Sequence, residues 1–375
     1  MSLGIFEKAG PNRGFLRRPE AGYLPSGSDI HVADRLIRQY GLRPGDEIAG
    51  ETRNAGKGRN HALERITAIN GRPPDAIRNR PEFSRLAAIH PSEPLKLECG
   101  LIRRGQPDFT NRVVDLLCPL GKGQRALVVA PAKAGKTMVL QSIAEGIATN
   151  YPPATLFILL VDERPEEVFE MEALGIGEVI ASSFDNPAQQ HVTIAELTLE
   201  RARRRVELGE DVVIIVDSLT RLARAYNTVE KGTGRTLSGG LDAQSLERPK
   251  RFLGSARKID QVQGGGSLTI IATALVDTGS RMDQVIFEEF KGTGNSELVL
   301  SRELAERRIF PAIDLVSSAT RREELLLSQE ALAVSRLLRQ RIAGMASINA
   351  MNDLLTDLKR NKTNDELVRT LAASA

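Results

Sequence analysis

One short segment of the chain combines the residue types that bind phosphate. It reads ALVVAPAKAGKTMVLQSIA, from Ala126 to Ala144, and an apolar run leads through the phosphate loop, residues 133–137, into a helix-forming sequence. Backbone N–H groups at the start of a helix point at phosphate oxygens, and the helix dipole favours negative charge there. Gly135 would let the backbone approach closely, Lys136 would bridge the β- and γ-phosphates, and Thr137 would hold Mg²⁺. The segment therefore predicts a site for ATP and Mg²⁺.

The phosphate loop departs from the usual pattern G-x-x-x-x-G-K-[ST] at its first glycine. Ala130 stands there, followed by Pro131. Because proline presets the φ of a turn, Pro131 can replace the turn-forming role of the missing glycine. The departure removes no phosphate or metal ligand.

Two carboxylates follow apolar runs in the same way. Asp217 ends the run in VVIIVDSLTRLARAYN and suits the group that orients magnesium and its water, while Glu163 in FILLVDERPEEV suits the group that polarises the attacking water. Each has an ordinary alternative, because Asp217 could cap the next helix and Glu163 could belong to a solvated acidic turn. Three functional elements at strand ends together favour the catalytic interpretation.

The apolar runs themselves predict an α/β core from about residue 120. Six runs have nearly continuous apolar stretches, as in strands of a parallel sheet covered on both faces: ALVVA, LFILLV, EVIAS, VVIIVD, LTIIATAL and ELVLS. Amphipathic segments such as IAELTLERARRRVELG separate them, and the last ~55 residues favour helices.

The N-terminal region has a different texture. Residues 11–69 contain short alternating segments, GFLRRP, DIHV, DEIAGETR and HALERITAI, which predict a small all-β barrel. A proline-rich stretch follows. We therefore expect a barrel over 1–70, a connector over 71–115 and an ATPase domain with C-terminal helices over 116–375.

Composition narrows the class of protein. Hydrophobic residues make up 41% and charged residues 26%, and we find neither an apolar run of ~18 residues nor a secretory signal, so we expect a cytoplasmic protein without membrane contact. The two cysteines and four histidines lack metal-ligand spacing. Residues 1–115 hold 19 Lys and Arg against 14 Asp and Glu, a net +5, so this third is where we expect a polyanion to dock.

Eight blocks of the sequence, in this order, are APAKAGKT, VDERPEEV, DSLTRLARAYN, GGLDAQSLERPKRFLGSAR, IIATALVDTGSRMD, EEFKGTGNSELVLSR, RRIFPAID and KTNDE. Together they resemble the bacterial transcription termination factor Rho family. The resemblance runs from about Gly14 to the end. It implies a RecA-like P-loop ATPase core with an N-terminal OB (cold-shock-like) barrel that binds single-stranded RNA. It also implies a homohexamer ring that hydrolyses ATP, translocates 5′ to 3′ along RNA and releases transcripts from RNA polymerase.

The resemblance implies catalytic roles for Lys136, Glu163 and Asp217, the last linked to Mg²⁺ together with Thr137. Arg321, in SATRREE, would be an arginine finger that reaches the ATP of a neighbouring subunit. Arg221 would sense the γ-phosphate, and Phe310 would stack on adenine, although a core role is the ordinary alternative for a phenylalanine. The implied nucleotide contacts are Gly121, Lys122, Gly123, Gln124, Arg125, Ala126, Lys133, Ala134, Gly135, Lys136, Thr137, Met138, Arg164, Arg221 and Phe310.

RNA contacts are implied at the barrel and at a central pore. The barrel residues are Arg13, Phe15, Arg17, His31, Arg59 and His61, and the pore residues are Arg235 and Arg281. Where the family usually has aromatic rings, this chain has Arg13, His31 and His61, and only Phe15 keeps its ring. We therefore expect RNA binding with reduced preference for cytosine.

Two other functions fit parts of the sequence. A relative of rotary ATP synthase catalytic subunits would share the core but would not need the barrel and the pore loops. A Rho-like subunit that only binds RNA, or that poisons hexamers, would not need intact Lys136, Glu163, Asp217 and Arg321.

Overall fold

The computed structural model describes residues 2–11, 13–53, 61–230, 236–237, 240–242 and 244–373. Arg59 and Arg235 lie outside these residues. Within them, every helix is too short or too polar to cross a membrane.

The N-terminal region is a closed five-stranded barrel in the order β1-β2-β3-β5-β4. A helix, α1 (Asp34–Tyr40), lies between β3 and β4. The strands are β1 (Ser2–Lys8), β2 (Arg13–Arg17), β3 (Ile30–Ala33), β4 (Glu47–Arg53) and β5 (Ala62–Ile69). This arrangement is the predicted OB-type barrel.

Strand β1 lies within the barrel expected over residues 1–70, but the short segments that predicted strands all lie within residues 11–69 and do not include it. Its pattern is hard to recognise because the strand bulges between Ser2 and Gly4, and Gly4 has φ +146°. Ile5 and Phe6 are consecutive and both buried, so the period-two alternation is lost. Closure of the barrel requires β1, since it pairs with both β2 and β4.

The connector holds little regular structure before helix α2 (Thr110–Leu117). It contains three two-residue strands, β6 (Ala88–Ile89), β7 (Ile102–Arg103) and β8 (Gln106–Pro107). Asp115 of α2 accepts hydrogen bonds from the backbone N–H groups of Leu97 and Glu98, so its carboxylate holds the connector against the helix.

The core is a nine-stranded, mostly parallel sheet whose main path is β11-β10-β12-β16-β9-β17-β18. All six predicted apolar runs are strands of this sheet. They are β9 (Arg125–Pro131), β10 (Thr155–Glu163), β11 (Glu178–Ser183), β12 (Asp211–Asp217), β16 (Ser267–Val276) and β17 (Ser296–Val299). Antiparallel β15 (Arg257–Ile259) and β18 (Ala319–Thr320) extend it, and β13 (Thr236–Leu237) and β14 (Leu241–Asp242) form a separate hairpin.

Helices cover both faces of the sheet, and two large buried clusters fill the space between them and the strands. The helices are α3 (Lys136–Asn150), α4 (Pro165–Glu172), α5 (Ala188–Val206), α6 (Leu219–Val229), α7 (Glu247–Gly254), α8 (Arg281–Lys291), α9 (Arg302–Glu306), α10 (Gln329–Ile342), α11 (Ser347–Arg360) and α12 (Asn364–Ala372). The last three form the predicted helical C-terminal segment.

The barrel is fixed to the core by buried ion pairs at the end of α5. Arg80 lies between Asp46 of the barrel (Nη2 to Oδ2, 2.6 Å) and Glu207 just beyond α5 (Nε to Oε2, 3.4 Å). Arg43 also pairs with Glu207, at 2.9 Å. Because both carboxylates are fully buried, their charges require these guanidinium groups.

We predict that Arg80→Ala destabilises the protein by about 3 kcal/mol, since it leaves Asp46 and part of Glu207 buried with fewer cations. Urea unfolding monitored by circular dichroism measures the change. The matched control is Arg38→Ala, whose guanidinium is 72% exposed and pairs with Asp34 on the surface of α1. Its effect should stay within about 0.5 kcal/mol. Equal effects of the two substitutions would contradict the role given to Arg80.

Candidate nucleotide and RNA sites

The phosphate loop joins the end of β9 to the start of α3. Lys133 (φ +64°) and Gly135 (φ +84°) both adopt left-handed backbone conformations, and Gly135 is the N-cap residue of α3. Glycine enters this region without steric cost, which explains why the loop needs it at 135. The N-terminal N–H groups of α3 are thereby available to an anion, as the sequence predicted.

Lys136 is the centre of the site. Its Nζ donates a hydrogen bond to Asp217 Oδ1 at 2.7 Å and another to Glu163 Oε1 at 2.9 Å. The side chains of Glu163 and Asp217 are 1% and 2% exposed. The structure therefore brings the three predicted catalytic residues of one subunit into direct contact.

Strand register explains why the two carboxylates meet. Strands β10 and β12 are parallel neighbours, and Leu160 lies opposite Asp217. Asp162 has φ +57°, and the pairing of β10 with β11 shifts between Val161 and Glu163. This irregularity adds a residue at the strand end, and Glu163 reaches the same ammonium group as Asp217.

Burial, followed by the nearby charge of Asp217, raises the pKa of Glu163 to about 7. Burial disfavours the charged form of Lys136, but the carboxylates of Asp217 and Glu163 outweigh it and raise its pKa. The second carboxylate oxygen of Glu163 is buried without a hydrogen bond, and Arg221 Nη1 lies 3.6 Å away. Arg221 is thus placed beside the carboxylate that is expected to polarise water.

The residues at this edge fit a magnesium ion. Carboxylate oxygens of Glu163, Glu167 and Asp217 lie within 4.8 Å of one another, and Thr137 Oγ1 lies 3.4 Å from Glu167 Oε2. Hard oxygen donors of this kind are those that Mg²⁺ prefers. Glu167 was missed from the sequence because it lies within an acidic run, and only its spacing of four residues from Glu163 could have indicated it.

Thr273 is a second residue that sequence reasoning missed. It is fully buried on β16, and its hydroxyl donates a hydrogen bond to Asp217 Oδ1 at 2.7 Å. A threonine inside an apolar strand gives no signal of this role. In the structure it fixes the orientation of the Asp217 carboxylate.

The remaining predicted residues around the loop differ in their exposure. Phe310 is 38% exposed, and its Cε1 would lie 3.7 Å from a Cβ added to Gly135, so the ring borders the phosphate loop. Ala134 is buried, whereas Lys133, Met138 and Arg164 are exposed. Phe310 is therefore not a core residue of this chain.

The segment Gly121–Ala126 does not join the phosphate loop. It lies at the beginning of β9, whereas the loop follows the end of that strand. A strand rises about 3.3 Å per residue, so roughly 20 Å separate the two ends. The segment therefore cannot contact a nucleotide on the phosphate loop of its own chain, and its predicted contact with nucleotide stays a prediction.

Arg321 lies at this same far end of the sheet. Its backbone N–H donates to the carbonyl oxygen of Asn295 at 2.9 Å, immediately before β17, and its side chain is exposed. Burial, together with the charge of Arg321, lowers the pKa of Arg125. Arg321 thus stands beside Gly121–Ala126 and away from the phosphate loop of its own chain.

On the barrel, the half-buried Phe15 and His31 form an edge-to-face pair with ring centroids 5.8 Å apart. They lie opposite each other on β2 and β3, while Arg13 and His61 are exposed. Arg17 is buried, 5.5 Å from the Phe15 ring, and paired with Glu7 and Asp29. Arg17 therefore packs beside the Phe15 ring. Its predicted contact with RNA stays a prediction, as does that of Arg59.

Arg281, one of the two predicted pore residues, is exposed at the start of α8. The preceding turn is held by Asp283, which accepts hydrogen bonds from Thr278 Oγ1 (2.6 Å) and from Arg224 Nε (2.7 Å). The turn is thereby tied to α6, the helix that carries Arg221. Arg235, the other predicted pore residue, lies outside the described residues.

Comparison with known proteins agrees with both halves of this architecture. Residues 2–75 match the family "Rho termination factor, RNA-binding domain", and residues 110–320 match "ATP synthase alpha/beta family, nucleotide-binding domain". Among solved structures, an ATPase of a type III secretion system of pathogenic bacteria covers 76% of this chain and 85% of its own, with a TM-score of 0.61 at 23% identity. That likeness supports the fold of the core.

Curated relatives are similar over almost the whole chain. Transcription termination factor Rho of Escherichia coli is 50% identical over 99% of this chain and 88% of its own length. The factor of Buchnera aphidicola is 51% identical over 97% and 86%. That of Gemmatimonas aurantiaca is 53% identical over 95% of this chain, which spans about half (48%) of that longer relative. The chain therefore belongs to the transcription termination factor Rho family.

Proposed function

We propose that this protein is an RNA-dependent ATPase that translocates 5′ to 3′ along single-stranded RNA and terminates transcription by releasing the transcript from RNA polymerase. The proposal rests on the position of Lys136, whose ammonium group donates hydrogen bonds to both Glu163 and Asp217 at the strand ends. The RNA-binding domain matched at residues 2–75 supports RNA as the polymer.

Each residue of the site has a separate task in hydrolysis. Phosphates of ATP would draw Lys136 from the carboxylates, and the N–H groups of α3 would hold them. Glu163 would then accept a hydrogen bond from the attacking water and polarise it. Thr137, Asp217 and Glu167 would hold Mg²⁺, which neutralises charge on the phosphates when bound.

In a ring of subunits, a neighbouring subunit would complete this site. Arg321 lies at the opposite end of the sheet, so it would reach the ATP of a neighbouring subunit. A hexamer is the assembly that the family resemblance implies. An RNA-binding subunit without hydrolysis would have no use for the arrangement around Lys136.

ATP hydrolysis by the full chain, measured with and without single-stranded RNA, tests the proposal. We expect RNA to raise the rate severalfold. A rate that is high without RNA and unchanged by it would favour a rotary-ATPase-type activity, and no hydrolysis in either condition would favour a subunit that only binds RNA.

We predict that Glu163→Gln leaves ATP binding within a few-fold of the unaltered chain and lowers hydrolysis about 10²–10⁴-fold, because an amide cannot polarise water as a carboxylate does. Binding of a fluorescent ATP analogue and steady-state release of phosphate measure the two effects. Glu166→Gln is the control, since this exposed residue belongs to the same acidic run. Near-normal hydrolysis by Glu163→Gln would limit Glu163 to a structural role as a partner of Lys136.

We predict that Arg321→Gln lowers hydrolysis about 10³-fold or more while nucleotide binding persists. The exposed neighbour Arg322→Gln serves as the control. Mixing Arg321→Gln subunits with Lys136→Ala subunits should restore part of the activity, because some interfaces then combine an intact loop with an intact finger. Mixed rings that form, as shown by native mass spectrometry, and yet stay inactive would contradict action between subunits.

We predict that Phe15→Ala weakens RNA binding by about 1–3 kcal/mol with almost no change in its dependence on salt, since stacking carries no charge. Fluorescence anisotropy of a short labelled RNA at several salt concentrations measures both quantities. The control is Tyr40→Ala at the end of α1, a partly buried residue of the barrel region outside strands β2 and β3. An equal loss in both variants would assign the effect to barrel stability.

A further inference from the structure

The connection between the two barrel strands that carry Phe15 and His31 reaches into the ATPase core. This β2–β3 loop spans residues 18–29. Tyr23, near its middle, is 8% exposed and belongs to a buried cluster of the core, and the partly buried Leu24 packs against the same cluster. The β2–β3 loop therefore links the predicted RNA face of the barrel to the core by side-chain contacts.

Tyr23 joins an ion pair at the beginning of β11. Its hydroxyl donates a hydrogen bond to Glu178, whose carboxylate also accepts two hydrogen bonds from Arg201 of α5, at 2.7 and 2.8 Å. The Arg201 guanidinium lies 4.8 Å from the centroid of the Tyr23 ring and 4.7 Å from that of the Phe157 ring. We call Tyr23, Glu178 and Arg201 the barrel clamp.

Both ends of the β2–β3 loop are tied to the predicted RNA face. Arg17, whose guanidinium lies 5.5 Å from the centroid of the Phe15 ring, pairs with Asp29 at the other end of the loop. Gly22 and Tyr23 have left-handed φ angles of +58° and +60°, a conformation that is uncommon for a bulky side chain. The contacts of Tyr23 with the core therefore compensate for an unfavourable conformation of the loop.

The core side of the barrel clamp is joined to the catalytic edge of the sheet by β11 and α5. At one end of this pair, Glu178 of β11 is bonded to Arg201 of α5. At the other end, Ser182 Oγ and His191 Nδ1 share a buried hydrogen bond of 2.7 Å. The two bonds are about 13 Å apart along the strand and about 15 Å apart along the helix, so they match in span. Side-chain bonds at both ends favour movement of β11 and α5 as one unit.

The far end of β11 holds the backbone of Glu163. The pairing of β10 with β11 shifts at this point, with Val161 opposite Ser182 and Glu163 opposite Ser183. The backbone N–H of Phe184 donates to the carbonyl oxygen of Glu163 at 3.2 Å. A displacement of β11 would therefore change the position of the Glu163 carboxylate relative to the phosphate loop.

We propose that the barrel clamp couples RNA in the barrel to nucleotide in the core, with Tyr23 as a positioning residue that acts on Glu163 through β11 and α5. The inference rests on the proposed function, since it needs a chain that binds both RNA and ATP. Such coupling requires that the two ligands favour the same arrangement of the β2–β3 loop. It is then reciprocal, so RNA and nucleotide change each other's affinity by the same factor.

Among the described residues, further ion pairs join the barrel and the core away from the β2–β3 loop. Arg80 bridges Asp46 and Glu207, and Glu47 of β4 pairs with Arg205 of α5 at 2.9 Å. Strand β4 carries none of the predicted RNA contacts. These pairs supply a control, because Arg205→Gln weakens a contact between barrel and core that does not belong to the β2–β3 loop.

The test measures this coupling in the full chain by binding alone. The affinity for labelled single-stranded RNA of about 4 nucleotides, long enough only for the barrel, is determined with and without a saturating non-hydrolysable ATP analogue and Mg²⁺. Phe15→Ala, which should weaken binding of this RNA, verifies that it lies in the barrel. In the unaltered chain we expect the analogue to tighten RNA binding at least about threefold.

Two variants at opposite ends of β11 should remove the coupling. Tyr23→Phe keeps the ring and removes only the hydroxyl, and Ser182→Ala removes the bond to His191. Both should lower the factor to about one, while RNA affinity without nucleotide and nucleotide affinity without RNA stay within about twofold of the unaltered chain. A merely structural role of Tyr23 would instead change the separate affinities. Arg205→Gln should keep the full factor.

Four results would overturn the inference. The first is no effect of the analogue on RNA affinity in the unaltered chain, and the second is an unchanged factor in Tyr23→Phe. The third is an equal loss in Arg205→Gln, which assigns the coupling to attachment of the barrel in general. The fourth is a factor that is lost in Tyr23→Phe but kept in Ser182→Ala, which places the route outside β11. A chain that binds nucleotide but no RNA of any length would contradict the proposed function itself.

Discussion

The ammonium group of Lys136 between two buried carboxylates is the constraint on which the ATPase core depends. Glu163 and Asp217 are almost fully buried, and neither charge is tolerable there without the other groups of the site. Their positions require β10 and β12 to end together and the loop after β9 to deliver Lys136 to the same point. Parallel strands satisfy this condition, because all their carboxyl ends lie at one edge of the sheet.

Under the proposed function, the same sheet polarity makes one chain an incomplete catalyst. Lys136, Glu163 and Asp217 lie at the carboxyl edge, whereas Arg321 and Gly121–Ala126 lie at the amino edge, roughly 20 Å away along β9. No rotation of a side chain spans that distance. The barrel also packs at the amino edge, through the end of α5, where Gly45 leaves no room for a side chain against the backbone of Glu200. Charges that cannot serve the chain's own phosphate loop are therefore grouped at the edge of the sheet on which the barrel packs, as the proposed ring requires.

The sequence predicted the sheet and the centre of the site, because apolar runs and a phosphate loop are local patterns. It missed β1, whose alternation is broken by a bulge, and it missed Thr273 and Glu167, whose roles arise only from contacts across strands. It listed Gly121–Ala126 and the phosphate loop together as nucleotide contacts, whereas the structure places them at opposite ends of β9. Such properties follow from tertiary geometry, which spacing along the chain does not encode.

Net charge was the least informative of the sequence signals, and the structure shows why. The +5 excess of residues 1–115 predicted a basic RNA-binding face, yet Arg17, Arg43 and Arg80 of that region are engaged in ion pairs with carboxylates. Arg257, whose guanidinium group has no carboxylate partner among the described residues, belongs to the part of the chain with a net negative count. A polyanion responds to the charge left after internal pairing, because a paired cation presents little field to solvent. The surface that attracts RNA is consequently set by which arginines the fold leaves unpaired.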